Sequence, residues 1–503
     1  MKSPLAVAVL ATAVCGPSGT ALAQTSLEQV AERLAEQEAR LKAQAKEIES
    51  LKAELAKVQK VGEVPTPGSS PAASSPAASA AAVPSQTAPD MVPLRIVGAG
   101  RAPSSDAATA TRNLLVQAGR IETLDGANWD RGSPEFVSKD GNFSFRPRIR
   151  MFTDFGATFG SKAKTRNLSG TEQRLFDLGF EGRAGAEFSY LYEAGFGDNR
   201  LTVKNAFVAW SRALDSKHIL EIAVGNRVTG RTMDGSTSIN DIHFMERNVV
   251  ASSTQPQKGY YGLGVRGRIY GPRWHVAAEV AGNDVNSAGS ANDGVTYSIR
   301  SHWNPLRTTN SLLHIAAWGY REQISSSLNG VQRNIYIGGH VPDALQVQSG
   351  IIVNPRSGYG AGFELGGVFK SFWFSAEGGG RHLSAQTDAE FRAASISAGY
   401  FLTGETVAYA DKIGIWGRQQ VLTPVGRGGW GALELLARYE TVTLENGSLG
   451  GEGKAATIGA NWFLTPNVRL MANYIHWSLD NQSGTVTGAD AGDTVAMSMR
   501  LTY

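Results

Sequence analysis

From about residue 141 to the end of the chain, apolar and polar residues change places at every second position. In Gly431-Ala432-Leu433-Glu434-Leu435-Leu436-Ala437-Arg438-Tyr439, one face carries Leu433, Leu435, Ala437 and Tyr439 and the other Glu434 and Arg438. The final run sets Val495, Met497, Met499, Leu501 and Tyr503 against Ala496, Ser498, Arg500 and Thr502. A period of two is that of an extended strand with unlike surroundings on its two faces. Such alternation recurs near 141–157, 171–186, 187–197, 201–212, 218–228, 258–270, 272–283, 294–304, 310–322, 357–370, 371–380, 391–402, 430–443, 454–464, 467–478 and 492–503, sixteen segments in all. Their apolar sides tend to end in Phe, Tyr or Trp. Short turns such as Gly271-Pro272 and Thr465-Pro466-Asn467 alternate with longer polar loops. Segments of this length, greasy on one side and polar on the other, predict an all-β, 16-stranded antiparallel transmembrane β-barrel over residues 134–503. A soluble sandwich or propeller would show shorter strands and a self-contained repeat.

Before the barrel the period is different. Leu27, Val30, Leu34, Gln37, Leu41, Gln44, Ile48, Leu51, Leu55 and Val58 follow steps of three and four, the seam of an N-terminal α-helical coiled coil over 24–60. That seam is roughly 48 Å long at the helical rise. Residues 62–90 are a Pro/Ala/Ser tract without the apolar residues a core requires, and 61–133 as a whole reads as linker and irregular segment. Residues 1–23 read as a signal peptide, with Lys2, an apolar run from Leu5 to Val14 and the small-residue site Ala21-Leu22-Ala23. The single cysteine, Cys15, falls inside it, so the mature chain is expected to lack disulfides.

Composition sharpens this picture at two points. With 58 glycines and a formal net charge of only +3 over 503 residues, the chain has no polybasic surface for nucleic acid. Any preference for anions must then come from local placement. Phe145-Arg146-Pro147-Arg148-Ile149-Arg150-Met151 provides it: on a strand, Arg146, Arg148 and Arg150 share one face, neighbours roughly 6.7 Å apart. Each adjacent pair repels by about 2.5 kcal/mol at a dielectric of 20 and about 0.6 in water, which favours a wet lumen. The triplet is expected to outnumber its nearby carboxylates. Arg183, Arg227, Arg266, Arg268, Arg438 and Arg500 have lumen parity as well, beside Asp154, Glu181, Glu221 and Glu434. Guanidiniums so placed can grip phosphate or carboxylate bidentately and pass it on, or simply keep the wall wet.

Other chemistry is not supported. Gly262-Leu263-Gly264-Val265-Arg266-Gly267 fits the dinucleotide fingerprint by letter, but the alternation runs straight through it to Gly271-Pro272, with no strand-to-helix turn. The eight histidines form no metal-ligand spacing, so neither metal nor cofactor is expected. No paired-carboxylate or Ser/His/Asp arrangement stands out from lumen polarity, and the chain is not read as an enzyme.

Several segments resemble the phosphate-selective porins of the O and P type. They are Asp140-Gly141-Asn142-Phe143-Ser144-Phe145, Leu178-Gly179-Phe180-Glu181-Gly182, Phe244-Met245-Glu246-Arg247, Phe401-Leu402-Thr403-Gly404-Glu405, and the closing region from Trp430 to Leu470. The resemblance implies a homotrimer of sixteen-stranded barrels in the outer membrane of a Gram-negative cell, each narrowed by an inward third loop. It also implies passive movement of small anions, phosphate first and other oxyanions or organic acids next, along a path that includes Arg231 and Arg247. The N-terminal extension would lie in the periplasm as a trimeric stalk with cell-wall contact. One run departs from the family pattern. Gly225-Asn226-Arg227-Val228-Thr229-Gly230-Arg231 lacks the lysine and Pro-Phe usual before the constriction loop, leaving Arg227 and Arg231 to supply charge. A general porin without a binding site, or a tether whose barrel is an anchor, are the competing expectations.

Overall fold

The computed structural model describes residues 134–503, apart from 198–199, 288–292 and 342–343, and before them only Lys42 and Lys46. The expected signal peptide and linker, and the expected coiled coil apart from those two lysines, lie outside the described residues.

Sixteen strands follow one another around a single closed sheet. They are β1 (Phe143–Phe159), β2 (Ser169–Ala184), β3 (Phe188–Gly197), β4 (Arg200–Ala213), β5 (Ile219–Val228), β6 (Tyr261–Gly271), β7 (Trp274–Ala281) and β8 (Val295–Arg307). The second half comprises β9 (Ser311–Gln323), β10 (Ser357–Phe369), β11 (Phe372–Ser384), β12 (Ala389–Phe401), β13 (Ala432–Glu445), β14 (Gly451–Phe463), β15 (Val468–Asn481) and β16 (Gly488–Thr502). Every neighbour is antiparallel, and β16 returns to β1 with Arg150 opposite Thr502 and Phe159 opposite Asp493. Closure leaves no open edge, so the backbone is paired within the wall and side chains alone decide what each face meets. The fold expected from the two-residue rhythm is the fold observed.

On β1, Phe145, Ile149 and Met151 point outward and Arg146, Arg148 and Arg150 point into the lumen. Pro147 sits below the last β16 pairing, where the wall gives β1 one barrel neighbour and a missing N–H costs least. Outward positions elsewhere are exposed and apolar: Phe363, Ile396 and Ile458 are each about 60% exposed at mid-strand. Tyr297 and Tyr359 lie toward one rim and Trp303, Phe369, Phe372 and Tyr400 toward the other. An apolar belt between two aromatic girdles is a surface for lipid, not water.

The rims differ. Tight connections such as 272–273, 308–310 and 370–371 define a turn rim, and longer ones at 229–260 and 324–356 a loop rim. The sorting expected from sequence has one exception: the turn rim also carries residues 402–431, a long segment with a small hairpin, Tyr409–Ala410 paired to Ile415–Trp416. Three connections therefore fold into the lumen. From the loop rim, the hairpin Gly330–Tyr336 and Gln346–Val353 packs Val331, Ile335, Val347 and Ile352 against Phe391, Val442, Leu444 and Trp477. Loop 229–260, with the helical turns α1 (Met233–Ser236) and α2 (Val249–Ser253), reaches the middle of the lumen. From the turn rim, Val407, Trp416 and Val421 meet Met233 and Phe244 of that loop, with Trp373, Phe401 and Phe463 of the wall.

Candidate functional site

Loop 229–260 owes its shape to local caps. Thr232 Oγ1 accepts the Gly235 N–H at 2.7 Å and Asn248 Oδ1 accepts the Ala251 N–H at 2.8 Å, each closing a one-turn helix. Thr232 holds a positive φ of 56°, a conformation β-branched residues rarely adopt, so surrounding contacts must enforce it. Asp234, next in the same turn, accepts from Asn248 N–H at 2.7 Å and donates its own N–H to Glu377 at 2.9 Å.

The loop is fastened to β13–β16 by side chains from the wall. Arg469 donates to the carbonyls of Ile242 and Asn240, both at 2.9 Å. Arg500 donates to those of Ile239 at 3.0 Å and Met245 at 2.7 Å, and Arg438 to that of Glu246 at 2.9 Å. His243 meets Glu434 at 2.7 Å, and Asn473 accepts from the Met245 N–H. Beside this seat, Arg174 of β2, two strands round from β16, donates to both oxygens of Glu246 at 3.3 and 3.2 Å. Burial pushes the Glu246 carboxyl up, and Arg174, His340 and Arg500 more than reverse it, so Glu246 is held as an anion.

Two recesses adjoin the loop. On the loop-rim side, a space of about 600 Å³ is lined by Asp154, Glu172, Glu246, Arg247, His340, Arg438 and Glu440 among others. On the turn-rim side, a space of about 300 Å³ is lined by Asp241, Arg418, Arg469 and Arg500, with Phe463 and the turn residues Pro466 and Asn467. The first is mixed in sign and the second is basic.

The ten expected arginines fall into three settings. Arg146, Arg148 and Arg150 face the lumen but do not outnumber their carboxylates, and on this point the sequence expectation is corrected. Arg146 pairs with Glu135 at 2.9 Å and Glu181 at 3.3 Å, Arg148 pairs with Glu181, and Arg150 pairs with Asp177 at 2.7 Å and with Glu193, while Lys204 joins Asp177 at 2.7 Å. Arg266 pairs with Glu279, Arg268 with Glu221 at 2.7 Å and Arg227 with Glu221 at 3.5 Å, so on the β5–β7 wall three arginines share two carboxylates. Arg231, Arg247 and Arg438 instead shape loop 229–260. Arg231 donates to Thr254 Oγ1 and Ala251 O, Arg247 to Thr237 O and Asp234 O, and Arg438 lies over Phe244 with Glu440 beside it. Arg183 is buried at the turn-rim end of β2, opposite Ser144 and Ser189.

The basic recess differs because its guanidiniums bond mainly to neutral oxygens. Arg418 donates to Pro466 O at 3.1 Å and Thr502 O at 2.9 Å, as Arg469 and Arg500 donate to loop carbonyls. A carbonyl satisfies an N–H without cancelling its charge. Asp241 is the carboxylate of this recess, and burial pushes its carboxyl up against the opposing pull of Arg418, Arg469, Arg148 and Arg150. Arg418 and Arg469 were not singled out by sequence. Arg469 alternates correctly with Val468 and Leu470, but Arg418 lies in a segment with no period. Among the described residues, no group of three His, Cys, Asp or Glu is arranged to hold a metal ion.

A closed sixteen-stranded wall with an apolar belt outside, a polar lumen inside and an inward loop at its waist defines an outer-membrane porin. The phosphate-selective porin O and P family model matches residues 145–503, and the chain belongs to that family. An uncharacterised protein of Caulobacter vibrioides is 27% identical over 376 residues, 71% of this chain and 72% of that one. Among solved structures, the anion-selective porin from Comamonas acidovorans has a TM-score of 0.44 at 11% identity, over 72% of this chain and 100% of its own. The trimer form of OmpT of Vibrio cholerae has a TM-score of 0.46 at 10% identity, over 72% and 100% respectively. The outer membrane channel DcaP of Acinetobacter baumannii has 0.43 at 10%, over 73% and 99%.

Proposed function

We propose that this porin gives passive, anion-biased passage to small solutes, phosphate or related oxyanions and organic acids, and that it works as a homotrimer with its N-terminal extension in the periplasm. The observation that carries the anion bias is the basic recess, where Arg418, Arg469 and Arg500 keep their charge because carbonyls hold them. Of the ten arginines expected from sequence, those of the wall contribute the ion-paired lining along which such an anion travels. Binding must be weak enough to release: a millimolar site, about −4 kcal/mol, aids flux, whereas a nanomolar one plugs the lumen. The family supports phosphate as first substrate, and the missing lysine and Pro-Phe at 225–231 leave carboxylates as equal candidates. The test is a reversal potential across a planar bilayer under a KCl gradient, with phosphate then added to look for saturable block of the chloride current. Anion preference is expected, and it should fall in Arg418→Gln and Arg469→Gln. A cation-preferring channel, or a preference unmoved by both substitutions, overturns the reading.

A further inference from the structure

The basic recess lies at the rim where the chain enters the barrel. Asn467 of the β14–β15 turn lines it, together with Thr502, which stands opposite Arg150 in the wall. Asp241, also in the lining, feels Arg148 and Arg150 as well as Arg418 and Arg469, so the recess adjoins the arginine row of β1. Of the four charged groups that line it, Arg418, Arg469 and Arg500 are cationic and Asp241 alone is acidic. A guanidinium has five N–H donors, and Arg469 gives two of them to loop carbonyls, which leaves the group able to take a carboxylate as well. At about 300 Å³ the space admits a few side chains.

The chain's own approach to the barrel passes the other end of that row. Glu135 pairs with Arg146 at 2.9 Å, and Phe136 and Val137 pair with Phe145 and Ser144 of β1. Just before this point, outside the described residues, 121–130 carries Glu122, Asp125 and Asp130 and no lysine or arginine. Residues 91–120 have the opposite sign, with Arg95, Arg101, Arg112 and Arg120 against Asp106. Position and charge therefore single out the same ten residues. Reach allows them to arrive. Asp130 is five residues from Glu135, at most about 18 Å of chain, whereas Arg150 stands about 13 Å along the strand from Arg146.

We propose that the turn-rim recess docks the acidic stretch 121–130 of the same chain, whose carboxylates compete there with passing anions. A short tether sets an effective concentration on the order of millimolar, comparable with the weak solute site above, so either occupant displaces the other. The current measurement rests on the porin reading, and the cross-link does not. In the full-length protein with Cys15→Ser, Asn128→Cys and Asn467→Cys are expected to form a disulfide within one chain under mild oxidation. Adding Glu122→Gln, Asp125→Asn and Asp130→Asn leaves the tether length unchanged and should slow that disulfide about five-fold or more; KCl at about 1 M should slow the parent pair too. In planar bilayers the same three neutral substitutions, without the cysteines, should lower the phosphate concentration that halves the chloride current by about two-fold or more. A disulfide formed as fast without the carboxylates overturns the docking, as does one that joins two chains instead of closing one. A phosphate block unmoved by the three substitutions overturns the competition. A barrel passing no current sinks the porin reading and leaves the docking to the disulfide.

Discussion

Arg150 illustrates what a guanidinium does inside this wall. Its Nη2 lies 2.7 Å from Asp177 and also touches Glu193, all three side chains being almost fully buried. Removing it takes the cation from buried Glu193 and leaves buried Asp177 to Lys204 alone, so Arg150→Met should cost about 3–5 kcal/mol, seen as a lower urea midpoint in detergent, whereas removal of the exposed Arg392 should cost under about 1. Replacing Arg146, Arg148 and Arg150 together by Ala turns that stretch of lumen net negative, and phosphate should then block chloride current less; an unchanged block refutes their part in the path. Lys258 gives a pH test. Burial pushes its ammonium down to about 8, against the pull of Glu279. Between pH 8 and the ordinary lysine value the unfolded chain holds a proton that the folded one has released, so stability rises with pH across that window. Lys258→Met should flatten that part of the curve of unfolding midpoint against pH.

The strands were legible because their rhythm is a two-way sorting that no helix or loop imitates, and each of the sixteen expected segments overlaps an observed strand. Partners across the wall were not legible. Parity places Glu181, Asp177 and Glu193 on the arginines' side, but register decides that Arg146 sits opposite Glu181 and Arg150 opposite Asp177, and register is a property of two strands at once. The inward fold of 402–431 left no trace either, because a segment packed by Trp416 and Tyr409 against distant walls has no period of its own. Loop 229–260 depends on the far wall in the same way. Arg469→Ala with Arg500→Ala removes four guanidinium–carbonyl bonds, and the loop should loosen: single-channel conductance should rise and become noisier, with faster protease cleavage within 239–246. A conductance trace as quiet as that of the parent would mean that the hydrophobic contacts of Phe244 and Met233 suffice.

At the scale of the whole molecule the wall works between two solvents, and substitutions should reveal which is which. Ile396→Arg places a charge at mid-belt on the outer face and should cost about 2–4 kcal/mol in bilayer-based unfolding, more than the same change at a polar rim position. If it costs nothing, the belt does not meet hydrocarbon. The waist has a further property that follows from chain order. Loop 229–260 leaves the wall between the fifth and sixth strands, yet the arginines that anchor it belong to the thirteenth, fifteenth and sixteenth. Until the last strands have joined the wall, the loop lacks its arginine seat. A half-assembled wall would thus be a wide, unobstructed hole, and the narrowing that distinguishes one solute from another arrives only with the final seam, so completion of the cylinder and onset of discrimination are a single event.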